Sequence, residues 1–424
     1  MSGARLLRSL SCLALLAAAC TTGNSTATSA PAASATVTAP AATSGTPSSV
    51  SSTLPPFATT LPAGGIQTHP LGAMTGQWAF VLAHARPTSV SSATPDEVVE
   101  LWAIPLEGGD PRLAAGFVST HRGGNSDTNY LGRQFAPDGR RLVLSVTTLR
   151  PGGGSRSSLV LLELETGRVR MLGSDDGDSD TTPAWSPDGT RIAYRRVPDK
   201  PQGFAFDDGI WVMNADGTSP RRVVPGAQGV AAMPYGWTPD SLGVAFSYVF
   251  EDATFTVVDV ASGSRTKLGE YVTDLHAHSW RRSGPALAGA FKSTPRQAAP
   301  YILVTAPASA ERRLVSESDV DVQLDNVRWH PSRDEVLYRR SAGGRSGLYT
   351  VALAGSPQKI VTAASPLRAE WWPAGTDLAY FSADQQFAFD GVELRSSRSD
   401  GSNERVLFQR SGATLVDLAT RRVG

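Results

Sequence analysis

The stretch AWSPDGTRIAYRR, residues 184–196, decides the fold because its pattern recurs along the chain. Each copy begins with an aromatic anchor, which in most copies is followed two residues later by proline. A turn comes next, and a run of apolar residues follows the turn. The other copies are QFAPDGRRLVLSV at Phe135, GWTPDSLGVAFSY at Trp237, SWRRSGPALAGAF at Trp280, RWHPSRDEVLYRR at Trp329 and EWWPAGTDLAYFS at Trp371. The successive anchors lie 50, 52, 43, 49 and 42 residues apart. A repeat of this length that is filled with short strands predicts a β-propeller.

One repeat unit contains four predicted antiparallel strands. Residues 182–186 form the first strand, and the turn at 187–189 follows, where proline fixes φ and glycine allows positive φ. TRIAYRR is the second strand and GIWVMNA the third, and an Asp-Gly hairpin turn leads to the fourth, PRRVV. Four such strands in about 50 residues make one blade of a propeller.

Seven blades are predicted, with six or eight as the alternatives. The segment TGQWAFVLA (75–83) opens one further blade before the first anchor. Seven blades over residues 71–424 take about 51 residues each, in agreement with the anchor spacing. The apolar segment ATLVDLA (413–419) is left over, and we predict that it pairs with the first blade as its inner strand.

The first residues have the pattern of a targeting segment. Arg5 and Arg8 precede the apolar run at 10–16, which is too short to span a bilayer, and three alanines lead to Cys20. This resembles a bacterial lipoprotein signal peptide (1–19), in which Cys20 becomes the lipidated first residue, although Ala17 stands where such signals more often have leucine. The alternative is an ordinary secretory signal. Lipidation predicts a protein that is held on the outer surface of the cytoplasmic membrane or in the cell envelope, and does not cross the bilayer.

Residues 20–65 are rich in serine, threonine, alanine and proline and have no charge. Such a segment cannot bury enough apolar surface to fold, so it is predicted to be a disordered tether for a propeller at 66–424. The full chain has 39 basic and 39 acidic residues, which gives no basic stripe for nucleic acid. Its other cysteine, Cys12, lies within the predicted signal, so no disulfide is expected.

The motif WSPDGTRIAY followed by IWVMNADG resembles the TolB-like (WD-like) repeat of bacterial periplasmic propellers. The resemblance covers most of residues 75–407, and the fifth unit departs from it because Arg282 replaces proline. The family implies a propeller fold and export to the cell envelope. It implies no single activity, since its members include protein-docking modules, gating domains of peptidases and a few lyases.

The long loops of a propeller are expected to form its working face, since binding residues concentrate on loops over a rigid scaffold. Two loops between second and third strands, GFAFDDG (203–209) and QFAFDGV (386–392), share a pattern. Exposed aromatics there would suit a partner surface, and the alternative is that they shield the blade edge. Arginine pairs end two second strands near the same face. The candidate partner-binding residues are Phe204, Phe206, Phe387, Phe389, Arg195 and Arg339.

Two loops between blades have residue types that bind metals. The acidic loop SDDGDSD places carboxylates at alternate positions, although no closing glutamate follows, and a solvated loop is the alternative. Alternate histidines in DLHAHSW share one side of an extended segment, and a third histidine lies in an earlier loop of the same kind. The candidate metal ligands are Asp176, Asp178, Asp180, His121, His276 and His278.

The leading hypothesis is a monomeric binding or scaffold module for a protein or an envelope polymer, with no cofactor. The chain has no G-x-S-x-G elbow, no P-loop and no HExxH motif. The alternative is a propeller enzyme, such as a polysaccharide lyase, that uses a divalent metal held by the histidines at the channel mouth. A site spread over several blades leaves no linear motif, so catalytic residues cannot be named from the sequence.

Overall fold

The computed structural model describes residues 65–85, 97–119, 131–149, 155–173, 177–198, 208–226, 231–249, 254–272, 278–281, 284, 286–292, 299–305, 312–360, 365–383, 392–410 and 413–424. The predicted signal peptide, Cys20 and nearly all of the predicted tether lie outside these ranges. Within them, no helix is long and apolar enough to span a bilayer.

The described chain is nearly all β-strand and forms seven antiparallel blades in a ring, which confirms the seven-bladed propeller. Blade I holds β1 (Ile66–Thr68), β2 (Gly76–Ala85), β3 (Glu97–Pro105) and β4 (Arg112–Ser119), and blade II holds α1 (Leu131–Gln134), β5 (Arg141–Leu149), β6 (Ser155–Glu163) and β7 (Val169–Leu172). Blade III holds β8 (Ser179–Trp185), β9 (Arg191–Val197), β10 (Gly209–Asn214) and β11 (Arg221–Val224), and blade IV holds β12 (Ala231–Trp237), β13 (Gly243–Val249), β14 (Thr254–Asp259) and β15 (Arg265–Val272). Blade V holds β16 (His278–Trp280), β17 (Leu287–Lys292), β18 (Pro300–Thr305) and β19 (Arg312–Ser316), and blade VI holds β20 (Gln323–Trp329), β21 (Glu335–Ala342), β22 (Arg345–Ala352) and β23 (Gln358–Ile360). Blade VII holds β24 (Ser365–Trp371), β25 (Asp377–Ala383), β26 (Glu393–Arg398) and β27 (Arg405–Gln409), and β28 (Ala413–Val423) follows.

The last strand closes the ring, as the sequence predicted. β28 runs antiparallel to β2 over its full length, from the pair Gly76 and Val423 to the pair Ala85 and Ala413. It forms the edge of the blade I sheet opposite β1, so it takes the place that the first strand has in the other four-stranded blades. The N-terminal and C-terminal ends of the described propeller therefore meet in one sheet.

Polar contacts between blades VII and I strengthen this closure. The Arg405 guanidinium donates to the Leu106 carbonyl oxygen over 2.8 Å. The Ala374 N–H donates to the side-chain oxygen of Gln77 over 3.0 Å. Farther along the same boundary, Arg410 donates to both carboxylate oxygens of Glu100, over 3.2 Å each. Side chains from the two ends of the sequence are thus bonded at the same boundary.

Blade II departs from the four-strand expectation among the described residues. Its sheet contains only β5, β6 and β7, and the predicted first strand is reduced to one bridge between Phe135 and Leu142. The residues before that bridge form the single helical turn α1 instead. The carboxylate of Asp417 on β28 accepts the Leu131 N–H over 2.7 Å, which satisfies a donor at the start of the turn. The contact comes from the closing strand, so the local sequence of blade II could not reveal it.

The anchor aromatics pack between blades, in agreement with their predicted structural role. Trp185, Trp237, Trp329 and Trp371 are each buried, with 4–6% exposure, and Trp280 is half-buried. The anchors also receive a cation or an imidazole from the preceding blade, which adds to their apolar packing. These pairs are Arg421 with Phe135, Arg141 with Trp185, Arg191 with Trp237, Arg281 with Trp329 and His330 with Trp371.

Candidate functional site

A cleft of about 520 Å³ lies where the inner strands end, at the face of the short turns between first and second strands. We call it the channel-mouth cleft. Residues of blades I to V and VII contribute to it, and it includes the ends of β8, β12, β16 and β28. Its lining consists of Gly132, Arg133, Phe135, Ala136, Pro137, Trp185, Ser186, Pro187, Tyr235, Gly236, Trp237, Trp280, Pro373, Thr420, Arg421 and Arg422.

The lining of this cleft has three arginines and no acidic residue. Arg421 lies over the Phe135 ring at 5.0 Å and donates to the carbonyl oxygen of Gly132. Arg422 is exposed, and its side chain forms no ion pair with the residues that the structure describes. The described lining residues therefore have a net positive charge, although the full chain has none.

Arg133 extends from α1 in blade II to blade IV. Its guanidinium lies 5.9 Å from the centre of the Tyr235 ring. Its stem passes over Gly236, where an added Cβ would lie 3.2 Å from the Arg133 Cδ. Gly236 has a φ of 120°, a backbone conformation that favours glycine. The absence of a side chain at 236 thus gives Arg133 room to reach the cleft.

Two indole N–H groups of the cleft lack a hydrogen-bond partner among the described residues. They belong to Trp185 and Trp280, and both nitrogens are buried. By contrast, the Trp237 indole N–H donates to the Ala184 carbonyl oxygen over 3.0 Å. A buried donor without an acceptor costs free energy, and because both nitrogens are buried, a ligand in the cleft does not reach them.

Charged side chains of the inner strands link three neighbouring blades. Arg328 on β20 donates to Glu370 on β24 over 2.5 Å, and Arg368 on β24 donates to Asp417 on β28 over 2.8 Å. Burial raises the pKa of Asp417, while Arg368 and the N–H groups of Leu131 and Leu418 oppose that rise. Since the Asp417 carboxylate binds both β24 and α1, it connects blade VII with blade II.

A second cleft, of about 880 Å³, lies on the same face at blades VI and VII. Its lining consists of His330, Ser332, Arg333, Trp372, Ala374, Gly375, Thr376, Asp377, Ser396, Ser397, Arg398, Ser399, Asn403 and Arg405. His330 is 5% exposed, and its Nε2 lies 2.8 Å from the carbonyl oxygen of Gly375 in the next blade. Its Nδ1 accepts the N–H groups of Ser332 and Arg333, over 3.1 and 3.0 Å. These contacts fit only a neutral imidazole with its proton on Nε2.

The pKa of His330 is lowered, mainly by burial, and the Gly375 carbonyl opposes that shift. A lowered folded-state pKa means that the unfolded chain binds the proton more readily. The contribution of His330 to stability is therefore complete above about pH 6.5 and is lost as the pH falls through the folded pKa. We expect His330→Asn, whose side-chain oxygen can accept the same N–H groups, to lose less stability than the natural chain between neutral and mildly acidic pH. Urea unfolding at several pH values measures this, and equal pH dependence of the two chains would contradict it.

The two arginines that the sequence suggested as partner-binding residues, Arg195 and Arg339, form ion pairs within their blades. Arg195 reaches Asp208 over 2.6 Å, and Arg339 forms two hydrogen bonds with Asp325, of 2.7 and 2.5 Å. The predicted metal ligand Asp180 is 5% exposed and receives two hydrogen bonds from Arg196, of 2.7 and 2.9 Å. These pairs join first and second strands, or a second strand to its following loop, and so stabilise individual blades.

Of the other predicted site residues, only Asp178 and His278 lie within the described ranges. Asp178 is half-buried, and its backbone carbonyl accepts the Arg156 guanidinium over 3.0 Å. His278 is the first residue of β16. The remaining candidates, Phe204, Phe206, Phe387, Phe389, Asp176, His121 and His276, lie outside the described residues, as does most of the long-loop face. In the described part of the chain no three His, Cys, Asp or Glu residues are grouped to hold a metal ion.

Sequence reasoning missed the channel-mouth cleft because it assigned the short-turn face no role. The available signal was the anchors themselves, since each ends an inner strand and inner strands surround the channel. The doublet at Arg421 and Arg422 directly follows the predicted closing strand. Arg133 could not be found in this way, because its position depends on α1 replacing a strand.

Solved structures share the fold of this chain. One match is a prolyl endopeptidase, at 12% identity and a TM-score of 0.52, covering 79% of this chain and 50% of that one. An acylaminoacyl peptidase of Pyrococcus horikoshii matches at 13% identity and a TM-score of 0.50, covering 82% of this chain and 53% of that one. A TolB described as putative, from Agrobacterium tumefaciens, matches at 14% identity and a TM-score of 0.41, covering 83% of this chain and 99% of that one. This chain thus spans about half the length of the two peptidases, and identities this low show the propeller fold alone. No family model and no curated protein matches the chain.

Proposed function

We propose that this chain is an exported β-propeller, held at a membrane surface by a lipid on Cys20, that binds a protein or an envelope polymer. The proposal combines the lipoprotein-like N-terminal sequence with a rigid ring of seven blades. The observation that carries the binding role is the channel-mouth cleft, whose described lining has three arginines and no acidic residue. A concave site with a few convergent polar groups is the usual form of a ligand site.

Hydrogen bonds between neighbouring blades hold two parts of the cleft surface in place. Trp237 bonds to the Ala184 carbonyl across blades III and IV, and the Thr420 hydroxyl donates to the Trp371 carbonyl oxygen across blades I and VII over 2.5 Å. A preformed surface loses little conformational entropy when it binds. The geometry therefore supports recognition of a partner by a fixed surface.

A photo-crosslinking amino acid at position 187 tests both parts of this proposal in intact cells. Pro187 is exposed on a turn of the cleft, whereas Met171, on the outer strand β7, is 58% exposed and serves as the control position. We expect defined adducts from position 187 and none of the same size from position 171. The adducts should sediment with membranes in the natural chain and move to the soluble fraction with Cys20→Ala. Identical adducts from both positions would contradict the cleft, and membrane retention of the Cys20→Ala protein would contradict the lipid anchor.

A further inference from the structure

We infer that the channel-mouth cleft recognises carboxylates of an acidic peptide segment, an inference that rests on the proposed function and specifies its partner. Three arginines are among the described residues that line the cleft, and none of those lining residues is acidic. A guanidinium is always charged and presents paired donors that match a carboxylate. Because Arg422 is exposed and forms no described ion pair, its guanidinium can bind a ligand without first breaking an ion pair.

The balance of donors and acceptors distinguishes a carboxylate from a sugar. The lining contains no aspartate, glutamate, asparagine or glutamine side chain. The hydroxyls of Ser186 and Thr420 donate to Asp188 and to the Trp371 carbonyl, and the Tyr235 hydroxyl is hydrogen-bonded to Ser247 over 2.7 Å. A sugar brings many O–H donors that would need acceptors on the protein, whereas a carboxylate only accepts. A described lining with three guanidinium groups and no carboxylate or amide side chain therefore matches an acidic peptide better than a glycan.

The rim of the cleft has the shape and chemistry for a peptide. Pro137, Pro187 and Pro373 come from the turns of blades II, III and VII, and the half-buried Trp280 adds an aromatic surface. The proline rings are apolar and have no hydrogen-bond donors. They line the same cleft as the three arginines. Apolar residues that flank an acidic group in a peptide can bury surface on this rim while the carboxylate reaches the guanidiniums.

Fluorescence anisotropy with the full chain in detergent tests the inference. The probes are a labelled hexaglutamate peptide, the matching hexaglutamine peptide and labelled hexagalacturonate. We expect hexaglutamate to bind at least about tenfold more tightly than hexaglutamine, with an affinity that falls as salt is raised. Arg422→Glu should weaken hexaglutamate binding by about tenfold or more, because it reverses a charge in the cleft. Arg345→Glu, at an exposed site on the hairpin of β21 and β22 at the other end of the blade, makes the same change in net charge and should leave binding unchanged.

The binding and crosslinking results together distinguish a failure of carboxylate recognition from a failure of the proposed function. Equal affinity for the glutamate and glutamine peptides, or equal effects of the two arginine variants, would overturn carboxylate recognition in the cleft. Tighter binding of hexagalacturonate would replace the peptide with an acidic glycan. If no probe binds while position 187 still crosslinks, only this inference fails, and if position 187 also yields no adduct, the proposed function fails with it. Unchanged thermal unfolding of Arg422→Glu shows that a loss of binding is not a loss of folding.

Discussion

A chain that stops after residue 412 is expected to lose the cooperative unfolding transition of the intact propeller. The truncation removes β28, which covers the whole inner edge of β2. Leu415, Leu418 and Val423 are buried on this strand, with 5%, 1% and 1% exposure. Burial of each such side chain stabilises a fold by about 1.5–3 kcal/mol. Their sum is comparable to the whole stability of a domain, about 5–15 kcal/mol, so the open ring should not remain folded.

Near-ultraviolet circular dichroism and thermal unfolding measure this loss, and a peptide of residues 411–424 provides the control. Added in excess, the peptide should restore the transition, because β28 joins the ring through non-covalent contacts that a separate peptide can also make. A scrambled peptide of equal composition should not restore it. A truncated chain that unfolds at the temperature of the intact protein would show that β28 does not close the ring.

Asp417→Ala is expected to destabilise the propeller by about 3–5 kcal/mol, the usual cost of removing one partner of a buried ion pair. The Asp417 side chain is 3% exposed and binds Arg368, which is 18% exposed. The same carboxylate accepts the N–H groups of Leu131 and Leu418. The substitution therefore leaves a largely buried cation and two backbone donors without their acceptor.

A double-mutant cycle separates the ion pair from the contact with α1. Arg368→Met removes the cation, so Asp417→Ala should cost less free energy of unfolding in that background than in the natural chain. Urea unfolding provides the four values. Glu163→Ala is the matched control, because it removes an exposed pair with Arg168 whose side chain is 75% exposed, and it should change stability little. Equal losses from Asp417→Ala and Glu163→Ala would contradict a structural role for Asp417.

Much of the fold could be predicted because each blade carries its own signal. The anchor aromatics, the Pro-Asp-Gly turns and the alternating strands are local features, and their period predicted the fold class and favoured seven blades over six or eight. The leftover strand at the C-terminus had no partner in the last blade, so its pairing with blade I followed from the need to close a ring. Blade II was predicted incorrectly, because its helical turn depends on Asp417, which lies 286 residues away from Leu131 in the sequence.

The candidate site was less predictable, because it is made by neighbouring blades and not by a motif. Arg195, Arg339 and Asp180 have the residue types of a binding or metal site, yet each has an oppositely charged partner within a blade. Arg133 has no signal in the sequence, and only the ring brings it to the same cleft as Arg421 and Arg422. Whether a charged residue has a partner depends on strand register and on the adjacent blade, which composition and spacing do not specify.

The pairing of β2 with β28 determines when the channel-mouth cleft can form during biosynthesis. Thr420, Arg421 and Arg422 belong to a strand that the ribosome makes after all the other strands of the propeller. A nascent chain that has exposed every strand before β28 still lacks one wall of the channel-mouth cleft. A partner that depends on that wall therefore meets a competent surface only once synthesis of the whole propeller is complete.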